Sequence, residues 1–167
     1  MNPDKLFDVA VFAIIFDEQG RILLAHRTDG DIWNLVGGGL EIGETPEEAI
    51  VREIKEEIGV EAVAERLVGI YTKTDRKVLL FSFICRIISG ELTISSEANK
   101  IEFFQFPDIP HNISPGQVER IHDALVKNPT SIVYSTITHP NVWKLLKEGN
   151  LEQYVNQLIQ KYKNLYS

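Results

Sequence analysis

Residues 37–60 read GGGLEIGETPEEAIVREIKEEIGV and predict a glycine-rich turn followed by a single helix. Thr45 can cap that helix with its hydroxyl, Pro46 suits the first helical position, and Glu48 completes a capping box. Gly59 suits the left-handed residue that closes a helix. We therefore predict a helix that begins near Pro46 and ends just before Gly59.

Three glutamates, Glu53, Glu56 and Glu57, share one side of the predicted helix. Carboxylates three or four residues apart repel each other, and acids in the last turn also face the negative end of the helix dipole. A solvated acidic face, with Arg52 offsetting part of the repulsion, would explain them. The alternative is a hard divalent cation that relieves the repulsion by binding several carboxylate oxygens.

The spacing of the whole segment, G-x5-E-x7-R-E-I-x-E-E-x-G-V, resembles the signature of the Nudix hydrolases without a gap. The specified polar and glycine positions are Gly38, Glu44, Arg52, Glu53, Glu56, Glu57 and Gly59. At roughly 7% for each residue type, these positions would coincide by chance about once in 10⁸ windows. The motif therefore favours the bound cation over the solvated face.

The resemblance implies an activity and a cofactor. Nudix enzymes cleave a pyrophosphate linkage in a nucleoside diphosphate joined to a further group X, which implies Mg²⁺ as the cofactor and Mn²⁺ as a substitute. By the same resemblance Glu53, Glu56 and Glu57 would be metal ligands, with the backbone carbonyl of Gly37 or Gly38 nearby. One or more such ions can neutralise the diphosphate and lower the pKa of bound water.

The resemblance also implies roles for residues around the metal. In many members the residue that matches Glu53 is the partner of the attacking water, although the sequence leaves open which glutamate is the general base. Arg52 resembles the residue that orients the acids, and Glu44 would belong to the same supporting network. Glu97 lies where related enzymes often carry an extra acid, so we predict a metal ligand there; an ordinary loop acid is the alternative.

Four residues are predicted to contact the substrate. Gly38 and Gly39 lack side chains, so their backbone can approach phosphates closely. Arg27 follows a predicted strand and could reach a substrate phosphate, with a solvated strand end as the alternative. Trp33 could stack on a base, although an aromatic residue at this position would also suit the core.

The substrate is less well defined by the sequence. ADP-ribose-cleaving members tend to have a proline fifteen or sixteen residues beyond the motif, where Asp75 and Arg76 stand here. Without a recognisable specificity insert, the sequence favours a nucleoside triphosphate or an oxidised nucleotide. An ADP-ribose or nucleotide-sugar pyrophosphatase is one alternative, and a non-catalytic regulator that binds a nucleotide is another.

The hydrophobic pattern predicts an α/β fold, and the resemblance implies an α/β/α sandwich around a mixed sheet. Residues 9–16 and 21–25 are predicted strands joined by a turn at 17–20, which suggests a hairpin. Further strands are predicted at 67–72, 78–88 and 101–106, with a second helix at 117–127.

Two regions are predicted along the chain: a Nudix domain at residues 1–128 and a C-terminal helical extension at 129–167. The extension contains helical patterns at 141–147 and 151–166, the second with a clean apolar stripe. The stripe could pack on the domain itself, form a homodimer contact, or serve as a lid over the active site.

Composition excludes several partners. The 167 residues include 17 basic and 24 acidic side chains, a net charge of −7 that argues against binding nucleic acid or an anionic membrane. A small nucleotide substrate remains compatible because a metal reverses the local charge. The single cysteine, Cys85, cannot form an internal disulfide, and no signal peptide or membrane-spanning run is visible, so we expect a cytoplasmic protein.

Overall fold

The computed structural model describes residues 6–96, 98–126 and 132–163. Eight strands and four helices lie within these ranges, together with a short 3-10 helix at Phe106–Asp108. In chain order they are β1 (Asp8–Ile15), β2 (Ile22–Arg27), β3 (Trp33–Asn34), β4 (Gly37–Gly39), α1 (Pro46–Ile58), β5 (Glu61–Lys73), β6 (Val78–Ser89), β7 (Ala98–Phe104), α2 (Pro115–Leu125), β8 (Val133–Ile137), α3 (Val142–Lys147) and α4 (Leu151–Lys163).

The strands form two sheets. A five-stranded sheet has the order β4-β1-β6-β5-β8, and a three-stranded sheet has the order β3-β2-β7. The larger sheet is mixed, because β1 runs parallel to β6 but antiparallel to β4, and β5 runs antiparallel to β6 but parallel to β8. The smaller sheet is antiparallel throughout.

Strand β1 shows how the helices cover both faces of the larger sheet. Successive side chains of a strand point to opposite faces. Val11 and Ala13 belong to the hydrophobic cluster that includes the apolar side of α1, whereas Ile14 belongs to the cluster that includes α2 and α4. The sheet therefore lies between two helical layers, as the α/β/α sandwich predicts.

The predicted hairpin of the first two strands is wrong beyond its turn. Asp17 shapes that turn by accepting hydrogen bonds from the backbone N–H groups of Gln19 and Arg21. Beyond a single bridge between Phe16 and Ile22, β1 and β2 separate into different sheets. Each strand pairs instead with strands from elsewhere in the chain, β1 with β4 and β6, and β2 with β3 and β7.

Three short or late strands were absent from the sequence prediction. β3 and β4 are too short to show an alternating pattern, and β4 consists only of glycines. β8 lies in the C-terminal extension and pairs in parallel with β5, so the described part of the extension is not purely helical. The predicted helices agree with α1 to α4 to within a few residues, as far as the described ranges extend.

Helix α4 buries its apolar stripe against the rest of the chain. Leu151, Val155 and Ile159 lie in one hydrophobic cluster with Val118 and Ile121 of α2. This position corresponds to the first of the three alternatives for the stripe, packing on the domain. The division at residue 128 stays a prediction.

Cys85 is buried in β6, and burial raises the pKa of its thiol to about 12. The thiol therefore behaves as a small apolar core group. Across residues 6–96, 98–126 and 132–163, no helix combines the length and the apolar content that crossing a bilayer would require.

Candidate active site

Helix α1 has the predicted ends. The backbone N–H of Glu48 donates to the Thr45 hydroxyl at 3.3 Å, and the N–H of Thr45 donates to the Glu48 carboxylate at 2.7 Å. Gly59 closes the helix with φ of 75°, and its N–H donates to the Lys55 carbonyl at 3.1 Å. A cap of this kind contributes about 1 kcal/mol. The two ends together fix the position of the last part of the helix, which carries Glu53, Glu56 and Glu57 and is called the acidic turn below.

Strand β4 brings the glycine run beside this helix. Gly37 has φ of 148°, and an added Cβ would lie 2.1 Å from the Val11 carbonyl oxygen, so another residue would not fit. At Gly38 an added Cβ would lie 2.5 Å from a carboxylate oxygen of Glu53. The missing side chain is therefore what lets the Glu53 carboxylate rest against the backbone.

Arg52 ties the acids to the glycine strand. Its guanidinium donates to both carboxylate oxygens of Glu44 at 3.1 and 2.7 Å, to Glu53 at 2.9 Å, to Glu56 at 3.2 Å and to the Gly39 carbonyl at 3.0 Å. Because a guanidinium has five N–H groups, these contacts use its full capacity. The arginine thus fixes where two of the three motif glutamates sit.

The same contacts keep Glu44 and Arg52 charged. Hydrogen bonds from Arg52, and from the backbone N–H of Glu41, hold the pKa of the Glu44 carboxyl below its usual value. The carboxylates in turn raise the pKa of Arg52, so both groups stay charged at neutral pH. Glu53 is only 13% exposed, whereas Glu56 is 60% exposed, so the first is held inside and the second reaches solvent.

Glu57 faces a small cavity that Gly37 of the glycine strand also lines. The cavity has a volume of about 50 Å³, and its lining includes Gly37, Glu57, Arg27 and Asn34. Ala98 also lines it. Glu97, the predicted fourth carboxylate ligand, lies outside the described residues.

A larger cavity of about 320 Å³ adjoins the small one, because both are lined by Arg27 and Asn34. Its walls come from β1, β5, α2 and α3, which places a part of the C-terminal extension against it. The charged side chains in its lining are Asp8, Arg27, Lys73, Arg76 and Arg120. Basic groups therefore predominate in the larger cavity.

The donor set beside the glycine strand suits a hard divalent cation. Carboxylate and backbone carbonyl oxygens are the ligands that Mg²⁺ prefers, and the gap at Gly38 leaves room for a carboxylate to approach the backbone. In the part of the chain that the structure describes, no three His, Cys, Asp or Glu side chains already converge on one metal position. Glu53 and Glu56 are instead engaged by Arg52.

Comparison with known proteins decides the family. The protein-family model described as the NUDIX domain matches residues 6–124 of this chain. The chain belongs to the Nudix family. It is 32% identical over 120 residues to a MutT-like protein from Streptomyces ambofaciens, and the aligned region covers 72% of this chain and 78% of that protein. It is 40% identical over 109 residues to an ADP-ribose pyrophosphatase from Methanocaldococcus jannaschii, which covers 61% of this chain and 64% of that protein.

Solved Nudix structures share the fold. The crystal structure of an ADP-ribose pyrophosphatase from Streptococcus suis 89-1591 is similar with a TM-score of 0.65 and 26% identity, covering 79% of this chain and 100% of that chain. The predicted family, mixed α/β fold and hydrolase class are confirmed. This Nudix hydrolase thus acts on phosphorus anhydrides in small nucleotide substrates, and its family uses divalent metal ions.

Two of the residues predicted to contact the substrate, Arg27 and Trp33, have different surroundings in the structure. Arg27 lines both cavities, and Asp29 accepts hydrogen bonds from its Nε at 2.6 Å and its Nη2 at 2.5 Å. Trp33 is only 7% exposed and packs edge-on against Phe104 in the core. The His26 ring also packs edge-on against Trp33, and Nζ of Lys100 lies 5.7 Å from the centroid of the Trp33 ring. Trp33 lines neither cavity, which favours the alternative of a core residue, and its contact with the substrate stays a prediction.

Several residues around the cavities were missed by the sequence prediction. Gln117 of α2 accepts from the backbone N–H of Leu35 at 2.7 Å and donates to Asn34 at 2.6 Å, which fixes the Asn34 amide between the cavities. Arg120 follows one turn later and is also buried. Two polar residues on the buried side of a helix can indicate a polar site. This signal can be used only once it is known which side of the helix faces the core.

Proposed function

We propose that this Nudix enzyme hydrolyses, with Mg²⁺, the diphosphate linkage of a nucleoside diphosphate joined to a further group X. One observation supports this most strongly. Arg52 joins Glu44, Glu53 and Glu56 to the carbonyl of Gly39, so the acids of α1 are held against the glycine strand. A merely solvated acidic face would not need such a network.

Glu53, Glu56 and Glu57 would hold Mg²⁺, together with the carbonyl of Gly37. When bound, the ion neutralises the charge of the diphosphate and lowers the pKa of a coordinated water. Glu57 faces the small cavity beside Gly37, and Glu53 lies against Gly38. Two of the three carboxylates therefore border the backbone that the phosphates would approach.

The chain's own groups would complete the reaction. Glu53 accepts the proton of the attacking water, because its carboxylate is enclosed and held in one position by Arg52. Arg52 and Glu44 position this carboxylate and do not touch the substrate. Arg27, at the junction of the two cavities, would contact an oxygen of the diphosphate and help to align the scissile bond.

The two adjoining cavities favour a substrate with two parts. We propose that the scissile diphosphate lies at Arg27 and Asn34 and that the larger cavity receives the group beyond it. A volume of about 320 Å³ is at the lower end of the range for small-molecule sites. Because Val142 and Trp143 of α3 contribute to its wall, the extension would supply a specificity element that the sequence pattern did not show. A diphosphate-linked compound is therefore preferred to a simple triphosphate.

A substrate panel tests the proposal. The purified protein is incubated with Mg²⁺ and with nucleoside diphosphate sugars, ADP-ribose, ordinary nucleoside triphosphates and oxidised triphosphates, and the products are identified by mass spectrometry. We expect diphosphate-linked compounds to give the highest kcat/KM, with cleavage between the two phosphates. Binding without turnover across the whole panel would instead support a regulator that only binds nucleotides.

A further inference from the structure

The larger cavity concentrates positive charge from separate elements. Lys73 comes from the end of β5, Arg76 from the following turn and Arg120 from α2. Asp8 is the one acid among the described residues that line this cavity. Like charges this close repel each other, and the repulsion grows as water is excluded. The cavity is thus suited to a negatively charged occupant.

Arg120 is the most enclosed of these cations. It is only 3% exposed, and it donates through Nε to the Gly116 carbonyl at 3.1 Å and through Nη1 to the Ser82 hydroxyl at 3.3 Å. Its guanidinium also lies 4.3 Å from the ring centroid of Phe12. Within the described ranges Arg120 forms no ion pair with a carboxylate, and Glu119 acts on it only at longer range. A buried cation held only by neutral groups is costly unless a counter-charge reaches it.

Lys73 adds a second cation that has no ion pair among the described residues. Among the described residues its amino group has no ion pair and no hydrogen bond. Burial, together with repulsion from Arg76 and Arg120, lowers the pKa of Lys73 to about 8, and Asp75 opposes this shift only in part. Arg76 itself has only a distant contact of 4.0 Å with Asp75.

The C-terminal extension encloses this charge. The Trp143 ring packs directly on the backbone of Gly30, where an added Cβ would lie 3.2 Å from it. Asn141, the N-cap of α3, donates to Asp75 at 3.1 Å and so connects the extension to the turn that carries Arg76. Enclosure of this kind excludes water and strengthens the attraction between the cations and a bound anion.

We propose that the group X of the substrate carries a negative charge of its own, a carboxylate or a phosphate, which Lys73 and Arg120 bind in the larger cavity. The inference rests on the proposed function, because it assigns this cavity to X. The diphosphate itself is placed elsewhere: Arg27 lies at the junction with the small cavity, whereas Lys73 and Arg120 line only the larger one.

Matched pairs of compounds test the proposal. UDP-glucuronate and UDP-glucose differ by a carboxylate on the distal sugar, and ADP-ribose with or without a phosphate on its distal ribose gives the corresponding phosphate pair. Dissociation constants are measured by calorimetry without added metal, and kcat/KM is measured with Mg²⁺. We expect the acidic member of at least one pair to bind about tenfold more tightly or better. The pair that shows the preference identifies the anion.

Two variants test whether Lys73 causes the preference for the acidic compound. Lys73→Gln should remove most of it, so that the affinities of the acidic and neutral members become similar. Lys144→Gln, an exposed lysine of α3 outside the cavity lining, should leave the preference intact. Circular dichroism and the melting temperature verify that both variants fold, and Arg120 is left unchanged because its burial makes substitution a risk to folding.

The outcomes separate this inference from the proposed function. Hydrolysis without a preference for the acidic member in either pair overturns the inference and leaves the function standing. Equal weakening of both members by Lys73→Gln also overturns it, because Lys73 would then hold the shared diphosphate. A preference in binding without any hydrolysis retains the anion site and overturns the function. Failure of all four compounds to bind overturns both.

Discussion

The acidic turn of α1 and the basic lining of the larger cavity both crowd like charges, but they do so in different ways. The acids Glu53, Glu56 and Glu57 lie within one turn and a half of one helix, so their spacing is visible in the sequence. Lys73 and Arg120 come from a strand and a helix that are far apart in the chain. The motif therefore predicts the site of bond cleavage from the sequence alone, whereas the proposed second site can be inferred only from the fold.

The two regions also differ in how their charge is balanced. Arg52 supplies the acidic turn with an internal counter-ion that contacts Glu53 and Glu56. The described residues supply no such partner for Lys73 or Arg120. The charge of the acidic site is therefore balanced in part by the protein itself, whereas the charge of the basic site is balanced by the substrate.

Loss of a carboxylate from the acidic turn should reduce activity more than any other change considered. Glu56→Gln removes a proposed metal-binding charge from an exposed position, so the fold should persist while kcat/KM falls about a hundredfold or more. Turnover is measured over a range of Mg²⁺ concentrations. Glu47→Gln, on the exposed first turn of the same helix, is the matched control and should retain activity. A wild-type rate in Glu56→Gln would contradict the ligand assignment.

The next effect tests the internal counter-ion. Arg52→Lys keeps the positive charge but cannot form the fork of hydrogen bonds to Glu44, Glu53 and Gly39. Since outer contacts of this kind orient the ligands, we expect kcat/KM to fall by about 10- to 100-fold and the Mg²⁺ requirement to rise. Kinetic titration with Mg²⁺ measures both changes. An unchanged Mg²⁺ requirement would show that Arg52 does not position the metal ligands.

A smaller effect tests the wall of the basic cavity. Trp143→Ala opens the side formed by α3, so KM for the preferred diphosphate-linked substrate should rise by about fivefold to tenfold with little change in kcat. The fold should tolerate the change because Trp143 is 45% exposed. Leu146→Ala, at an exposed position of the same helix, is the control. A loss confined to kcat would place Trp143 near the chemistry instead.

Binding of an anion in the larger cavity should also depend, more weakly, on pH. Binding of an anion raises the pKa of Lys73 above its value of about 8 in the free protein, so affinity for the anion should fall as the pH rises through 8. Between pH 7 and 9 the ratio of the UDP-glucuronate and UDP-glucose affinities should decrease several-fold, by about tenfold at most. Calorimetry measures the ratio, and Lys73→Gln should make it independent of pH.

The sequence predicted the parts of this molecule that local chemistry determines. The cap at Thr45, the closing glycine at Gly59 and the apolar side of α1 each depend on residues within a few positions of one another, and all were found in the structure. The Nudix spacing then identified the family. Candidate residues of the acidic site could therefore be named before the fold was known.

Features that depend on distant partners could not be predicted. Strands β1 and β2 look like a hairpin locally, but the strands that pair with each come from elsewhere in the chain and draw them into separate sheets. The sequence also could not show that Trp33 is only 7% exposed, because its burial depends on neighbours from other strands. Arg120 resembles an ordinary helix-surface residue, and only the packing of α2 shows that it is buried beside Phe12.

The pairing of β8 with β5 has a practical consequence for anyone who shortens this protein. A chain cut at residue 124, where the family match ends, would lose β8 and expose the edge of β5 to pairing with other molecules. The same cut would remove Val142 and Trp143 while sparing the acidic helix. Such a fragment should aggregate readily and, where it remains dispersed, discriminate poorly among compounds that it can still cleave.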